Sequence, residues 1–375
     1  MREFGMRILV LCKRRYMHKD VIDDRYGRLY ELPAQLARRG HQVLGVCLSY
    51  RPRPTGYYHR HVRCGRGFLL WRAFNALPGG PAYLPALLAL ARRFRPDLVL
   101  GCSDSFHVIV GDWLARRLGC PYVVDLYDNF ESFGLSKLPG VRPAFRRALR
   151  RAWGVSCVSE PLAEKVVRES GNSNVLVLES TIDAARFYPR DKHAARRRLG
   201  MPEDGLIIGT AGALYGNRGI DLLYEAFESL AGQMPDLYLA LAGPVDRRHP
   251  LPKHDRLIYL GLLPHAEIPD FYSALDLGIV CMVGGEFGNY AFPQKTYEIM
   301  ACRTPVLVAA VEALGRKLAA FPACLYQPGD LGDFLDKLQR QLQVFCVPDI
   351  DIPTWADQGR RLEMFCQQVL NRPVA

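Results

Sequence analysis

Lys295 and Glu298 stand three residues apart at the start of a helical segment, in Phe292-Pro293-Gln294-Lys295-Thr296-Tyr297-Glu298. The segment continues through Cys302-Arg303-Thr304-Pro305 into an apolar strand over 306–309. A loop, a charged helix start and a following parallel strand are how an α/β sheet builds an anionic-ligand site at its carboxyl edge. A second such place is Gly209-Thr210-Ala211-Gly212-Ala213-Leu214-Tyr215-Gly216-Asn217-Arg218-Gly219, which joins a strand to a helix. Small residues there let backbone N–H groups approach an anion. Arg218 falls at the helix start, where the dipole disfavours a cation unless an anion is bound. Taken alone, these residues read equally well as a glycine turn with a solvated arginine and as a first-turn glutamate favoured by the dipole.

A third polar group, Asp125-Leu126-Tyr127-Asp128-Asn129-Phe130-Glu131, lies at the carboxyl end of a strand in the first half. Asp128, Glu131 and Asp125 are candidate acid–base groups there, or ordinary loop carboxylates. Asp104 and His107 occupy another strand-end loop and fit helix capping and surface roles better. No His/Asp/Glu cluster has metal-ligand spacing, so no metal is expected. The eleven cysteines are odd in number and include no CxxC pair. Most lie in apolar segments, which fits buried free thiols in a reducing compartment.

These residues must be held by regular elements. A strand over 6–12, a helix over 29–39 closed by Gly40 and a strand over 42–47 form a β-α-β unit, which implies a parallel sheet. The alternation recurs, with helices over 82–94, 108–118, 145–152 and 160–170 and strands over 96–101, 120–126, 154–159 and 175–178. It lapses in a proline-containing connection near 183–190. A second round has strands over 206–212, 237–242, 257–260 and 277–282, another from Val306, and helices over 194–199, 219–234 and 268–275. A helix starts near Thr296, and a last one spans 355–371. A chain of 375 residues suits two such domains. Two doubly wound units in tandem are expected to leave a ligand cleft between them.

Several stretches, in order, resemble the family 4 retaining glycosyltransferases of the GT-B superfamily (glycosyl transferases group 1). They are Arg39-Gly40-His41, Thr181-Ile182-Asp183 with Phe187 and Pro189, 212–227, Leu239-Ala240-Leu241-Ala242-Gly243-Pro244, Tyr259-Leu260-Gly261-Leu262-Leu263, Ala274-Leu275-Asp276-Leu277 and the signature from Phe292. The resemblance implies a GT-B fold of two Rossmann-like domains: 1–188 for the acceptor, 189–350 for the nucleotide-sugar, and a C-terminal helix over 351–375 packing back on the first domain. It also implies that a sugar moves from a nucleotide diphosphate, UDP or GDP, to a lipid-linked or cell-envelope saccharide with retention. No further cofactor is implied. Glu298 would hold the ribose diol, which suits a carboxylate with two acceptor oxygens. Arg218 and Lys295 would neutralise the leaving diphosphate, with Gly212, Leu262, Phe292 and Pro293 completing the donor side.

Three positions depart from the family pattern. Tyr290 stands where a first glutamate is common, with Glu286 out of phase. Ala213 replaces a phosphate-binding arginine, and Tyr127 replaces a histidine. The acceptor-side catalytic group is thus sought among Tyr127, Asp128 and Glu131. These departures also admit a nucleotide-sugar epimerase or hydrolase, or a non-catalytic membrane or assembly partner, on the same fold.

Charge is divided unevenly, with a net +15 over residues 1–190 and −4 over residues 191–375. Arg142, Arg146, Arg147, Arg150 and Arg151 line a helix whose other face carries Phe145, Leu149 and Trp153. Upstream, Arg51, Arg53, Arg60, Arg63 and Arg66 mix with Tyr57, Tyr58, Phe68 and Leu69-Leu70-Trp71-Arg72. Such surfaces suit an anionic bilayer. Charge alone would also suit nucleic acid, but no nucleic-acid-binding signature accompanies it. No apolar run is long enough to span a membrane. The expectation is a cytoplasmic protein with peripheral contact to anionic membrane.

Overall fold

A computed structural model describes residues 5–16, 19–77, 79–132 and 134–372, apart from the side chains of 59–64, 81 and 135. The chain forms two compact units. One runs to Ser180 and resumes at Trp355; the other is Thr181–Thr354. The boundary expected at 188 therefore falls earlier. The connection over 181–190 is tied into the second unit, where Phe187 is buried and Arg190 pairs with Asp270 at 2.8 Å.

The first unit is an eight-stranded sheet. Its strands stand in the order Val175–Val177, Gly154–Cys157, Tyr122–Leu126, Leu98–Cys102, Arg7–Lys13, Gln42–Ser49, Gly67–Asn75 and Gly56–Cys64. All neighbours are parallel except the last pair. The central strands are mostly apolar because a parallel sheet is covered on both faces. Leu98–Cys102 and Tyr122–Leu126 are buried at every position.

The last pair shows that this stretch is an edge hairpin of the sheet, with one face in the core. Gly67–Asn75 alternates buried and half-buried residues, and Trp71 and Leu69 are core side chains. The Trp71 ring lies where a Cβ on Gly45 would have to be, 2.3 Å away, so the neighbouring strand needs glycine at that point. On the other face, the Arg72 guanidinium covers the Tyr57 and Phe74 rings at 4.8 and 4.6 Å. Arg51, Arg53 and Arg66 are exposed. The side chains of Arg60 and Arg63 lie outside the described residues.

The helix Trp355–Leu370 packs against the helix Arg28–Arg38, and Gly359 sits directly on Gln35. Glu363 pairs with Arg39 and lies 2.8 Å from His41 Nε2.

The second unit is a six-stranded parallel sheet. Its order is Leu257–Tyr259, Leu237–Ala242, Leu206–Ala211, Leu277–Val280, Val306–Ala309 and Leu325–Tyr326. Helices Glu312–Lys317 and Leu331–Gln343 follow the last two strands, beyond the sequence reading. The chain order reverses beside Leu206–Ala211, and that reversal is the topological switch point where doubly wound sheets bind ligands.

Candidate functional site

The switch point of the second sheet gathers most of the expected donor residues. The strand Leu206–Ala211 ends at Gly212, whose φ of +116° only glycine adopts without strain. Gly243, at φ +132°, ends the neighbouring strand and is pressed against the Gly212 carbonyl. A Cβ there would come within 1.9 Å of that oxygen, so side chains are kept away from this edge. The Gly212 N–H donates to Ala242 O at 2.8 Å.

Lys295 opens the helix Lys295–Ala301 and points to the same place. Its Nζ is 3.3 Å from Thr210 Oγ1 and would be 3.3 Å from a Cβ on Gly212. Burial lowers its pKa below the usual lysine range, and repulsion from Arg218 adds to that against the pull of Cys281 and Glu298. Arg218 stacks on the Phe287 ring at 4.3 Å, in the turn that leads into the helix Ile220–Ala231. Two cations beside a glycine-lined strand end repel one another, and an anion placed between them relieves that repulsion.

Glu298 is buried one turn into the same helix. Its Oε1 accepts from Gln294 Nε2 at 3.0 Å and lies 3.8 Å from His265 Nε2, whereas Oε2 takes no hydrogen bond from a described residue. Phe292 is buried with its ring 4.9 Å from Tyr297, and Pro293 caps the approach to the helix through Thr296 N–H→Pro293 O at 3.0 Å. Leu262 is 76% exposed on the turn after Leu257–Tyr259.

The first sheet's carboxyl edge is organised around Ser103, a buried non-glycine residue at φ +84°. Such strain persists only where the surroundings over-determine it. Here Ser103 Oγ accepts from Lys13 N–H at 2.8 Å, and Ser103 O accepts from Tyr127 Oη at 2.9 Å. Asp104 caps the helix Ser105–Leu118, receiving His107 N–H at 3.0 Å. It also holds His107 Nδ1 at 2.7 Å and takes the Tyr50 hydroxyl at 2.8 Å. Burial alone would raise the Asp104 carboxyl; the His107 ring and N–H and the Tyr50 hydroxyl outweigh it and hold the group at about 2. Lys13 is lowered by burial against the attraction of Asp104 and Asp128. Sequence reasoning missed Lys13 and Tyr50, whose partners lie more than fifty residues away in the chain.

Because Asp104 binds its proton more weakly folded than unfolded, its stabilisation is present above pH ~4 and is lost as pH falls toward 2. Asp104→Asn should therefore remove about 2 kcal/mol of stability at neutral pH and flatten the acid limb of the unfolding curve. Urea titrations at pH 7 and pH 3 check this; equal losses at both would contradict it.

Two of the expected catalytic residues are committed to contacts within the fold. Glu131 is buried with Oε1 2.7 Å from Arg146 Nε and Oε2 2.8 Å from Lys165 Nζ. Burial would raise its carboxyl, but these two cations hold it below the usual range. Tyr127 is pushed well upward by burial, its ring packs 4.9 Å from Tyr16 and 5.1 Å from Phe130, and its hydroxyl is committed to Ser103. Asp125 is likewise paired with buried Arg28 at 2.6 Å. Asp128 is half-buried beside this edge, and its Oδ1 accepts Asn129 N–H at 2.9 Å.

The basic helix is Val141–Arg151, with Phe145 and Leu149 buried and Trp153 partly buried beyond its end. Its outer face and Glu169 line a surface cavity of about 500 Å³ formed by Arg142, Pro143, Arg146, Arg147 and Arg150. Arg146 is spent on Glu131 and Glu169, and Arg150 Nε donates to Ser170 O at 3.2 Å. Among the described residues, no group of His, Cys, Asp and Glu could hold a metal ion. No described helix is long and apolar enough to cross a membrane.

Comparison with known proteins accords with this anatomy. Residues 28–186 match the Glycosyltransferase Family 4 model, and residues 205–343 match Glycosyl transferases group 1. The chain is 26% identical over 373 residues to the 2-deoxystreptamine N-acetyl-D-glucosaminyltransferase of Streptomyces fradiae, covering 88% of this chain and 87% of that one. Its fold matches sucrose-phosphate synthase of Thermosynechococcus elongatus with a TM-score of 0.71 at 19% identity, over 97% of this chain and 95% of the other. It also matches Anabaena Alr3699/HepE, solved with UDP-glucose, with a TM-score of 0.67 at 17% identity, over 97% of this chain and 98% of that one. With one match on each unit and one fold throughout, the chain belongs to the family 4, group 1 glycosyltransferases and is a glycosyltransferase of GT-B fold.

Proposed function

We propose that the protein is a retaining glycosyltransferase that takes a sugar from UDP or GDP and passes it to an anionic or lipid-linked saccharide of the cell envelope. The observation that carries the donor side is the placement of Lys295 Nζ against Gly212 at the sheet's switch point, with Glu298 on the same helix. Lys295 and Arg218 would balance the charge that grows on the diphosphate as the glycosidic bond breaks. Glu298 would accept the ribose hydroxyls, and the exposed Leu262 turn would lie against the base. On the acceptor side, Asp128, with Lys13 and Asp104 beside it, is the group best placed to orient an attacking hydroxyl. Glu131 and Tyr127 would act only by holding that edge.

The test is a panel of UDP- and GDP-sugars with aminocyclitol and saccharide acceptors, read by nucleotide release and by the anomeric configuration of the product. Nucleotide release that does not depend on acceptor would instead favour a hydrolase or epimerase. No turnover and no stabilisation by any nucleotide would favour a non-catalytic partner.

The arginine-lined cavity on Val141–Arg151 supports peripheral attachment to anionic membrane, consistent with a cytoplasmic location. Each arginine near anionic lipid contributes about 1 kcal/mol, so three or four suffice for reversible binding. The protein should float with phosphatidylglycerol vesicles at low salt and be released near ~0.5 M salt, where screening is nearly complete. Arg142→Glu with Arg147→Glu should abolish flotation. No salt-sensitive binding by the unaltered protein would refute attachment.

A further inference from the structure

We infer that Arg186 and His265 are positioning residues for Glu298, tying the nucleotide site to the segment that enters the second unit. The inference rests on the donor-site reading above. Arg186 Nη1 lies 2.5 Å from His265 Nδ1, and the Phe187 ring is 5.5 Å from the His265 ring. A guanidinium can only donate, so Nδ1 is the acceptor and the ring proton belongs on Nε2. Nε2 lies 3.8 Å from Glu298 Oε1, the same oxygen that takes Gln294 Nε2.

Both side chains therefore face one oxygen of the carboxylate. Gln294 bonds Oε1 from the helix N-cap, and His265 Nε2 faces the same oxygen at 3.8 Å, longer than a hydrogen bond, from the loop after Leu257–Tyr259. Oε2 is left to meet a ligand. Arg186 sets the tautomer: without it, Nδ1 could carry the proton and present a lone pair to a buried carboxylate. Gln294 has a consequence of its own, because its Oε1 is buried with no partner. The amide therefore holds its N–H toward Glu298 without a counter-bond to steady it.

A double-mutant cycle on the full chain separates this role from plain packing. UDP and GDP are titrated into the unaltered protein, His265→Leu, Glu298→Ala and the pair, with ligand-free melting as a folding control. His265→Leu should weaken binding roughly tenfold alone and less than about twofold in the Glu298→Ala background, because its effect passes through that carboxylate. His265→Gln, whose amide can reach the Nε2 position, should recover most of the affinity, and Arg186→Ala should behave like His265→Leu. An equal loss in both backgrounds, or no loss at all, would overturn the inference while leaving the donor reading intact. Failure of the unaltered protein to bind either nucleotide would overturn that reading and this inference with it.

Discussion

Lys295→Ala is expected to lower kcat/KM by about 10²–10³-fold, the loss typical when one fixed charge-stabilising group is removed from a reacting oxygen. The leaving diphosphate gains negative charge in the transition state, and Lys295 Nζ is held at the strand end by Thr210 Oγ1 at 3.3 Å. A preset cation spends little reorganisation at that moment, so kcat should fall along with kcat/KM. Arg218→Ala should also lower kcat/KM, because its guanidinium, stacked on Phe287, is the second cation beside Lys295. The pH dependence has a definite sign. Burial, then Arg218, lower the Lys295 pKa, so the free protein sheds this proton at lower pH than an ordinary lysine. A bound diphosphate favours the ammonium. Nucleotide affinity should therefore fall as pH rises through the lowered value, and Lys295→Arg should move that fall to higher pH. A Lys295→Ala enzyme within twofold of the original would contradict the role.

The largest effect on stability is expected at Arg28. Its side chain is fully buried at the start of the helix Arg28–Arg38. Nε and Nη2 grip Asp125 at 2.8 and 2.6 Å, and Nη1 meets Leu178 O. Ser156 Oγ donates to the same carboxylate at 2.5 Å. One pair thus joins a helix to three strand ends of the first sheet. Arg28→Ala would leave Asp125 buried and unpaired, which costs about 3–5 kcal/mol. Arg28→Met with Asp125→Leu removes both charges and should recover much of that loss. Urea unfolding followed on the first unit's transition checks both. A single variant that loses less than ~1 kcal/mol would show that the pair is not a keystone.

These two residues mark what could be read from the chain. The alternation of strands and helices was legible because parallel strands are apolar on both faces, and Lys295 and Glu298 were legible because one short helix carries both. Arg28 was not, since its partner Asp125 lies 97 positions away and the sequence suggested a catalytic role for that carboxylate. The pairing of Glu131 was hidden for the same reason, because its partners Arg146 and Lys165 come from two later helices. The edge hairpin was missed because its arginines and aromatics look like a surface patch. The turn Gly65-Arg66, with Gly65 at φ +56° between two aromatic runs, was the available signal. The Arg186–His265–Glu298 alignment leaves no local mark at all.

Glu298 offers the most direct test of the whole account. Calorimetric titration of UDP and of GDP into the unaltered protein and into Glu298→Ala measures whether this carboxylate holds a nucleotide. One of the two nucleotides should bind the unaltered protein at a single site. Glu298→Ala should weaken that binding at least about tenfold, since hydrogen bonds to a charged group are each worth about 1.5–3 kcal/mol. Binding of neither nucleotide, or equal affinity with and without the carboxylate, would contradict the account.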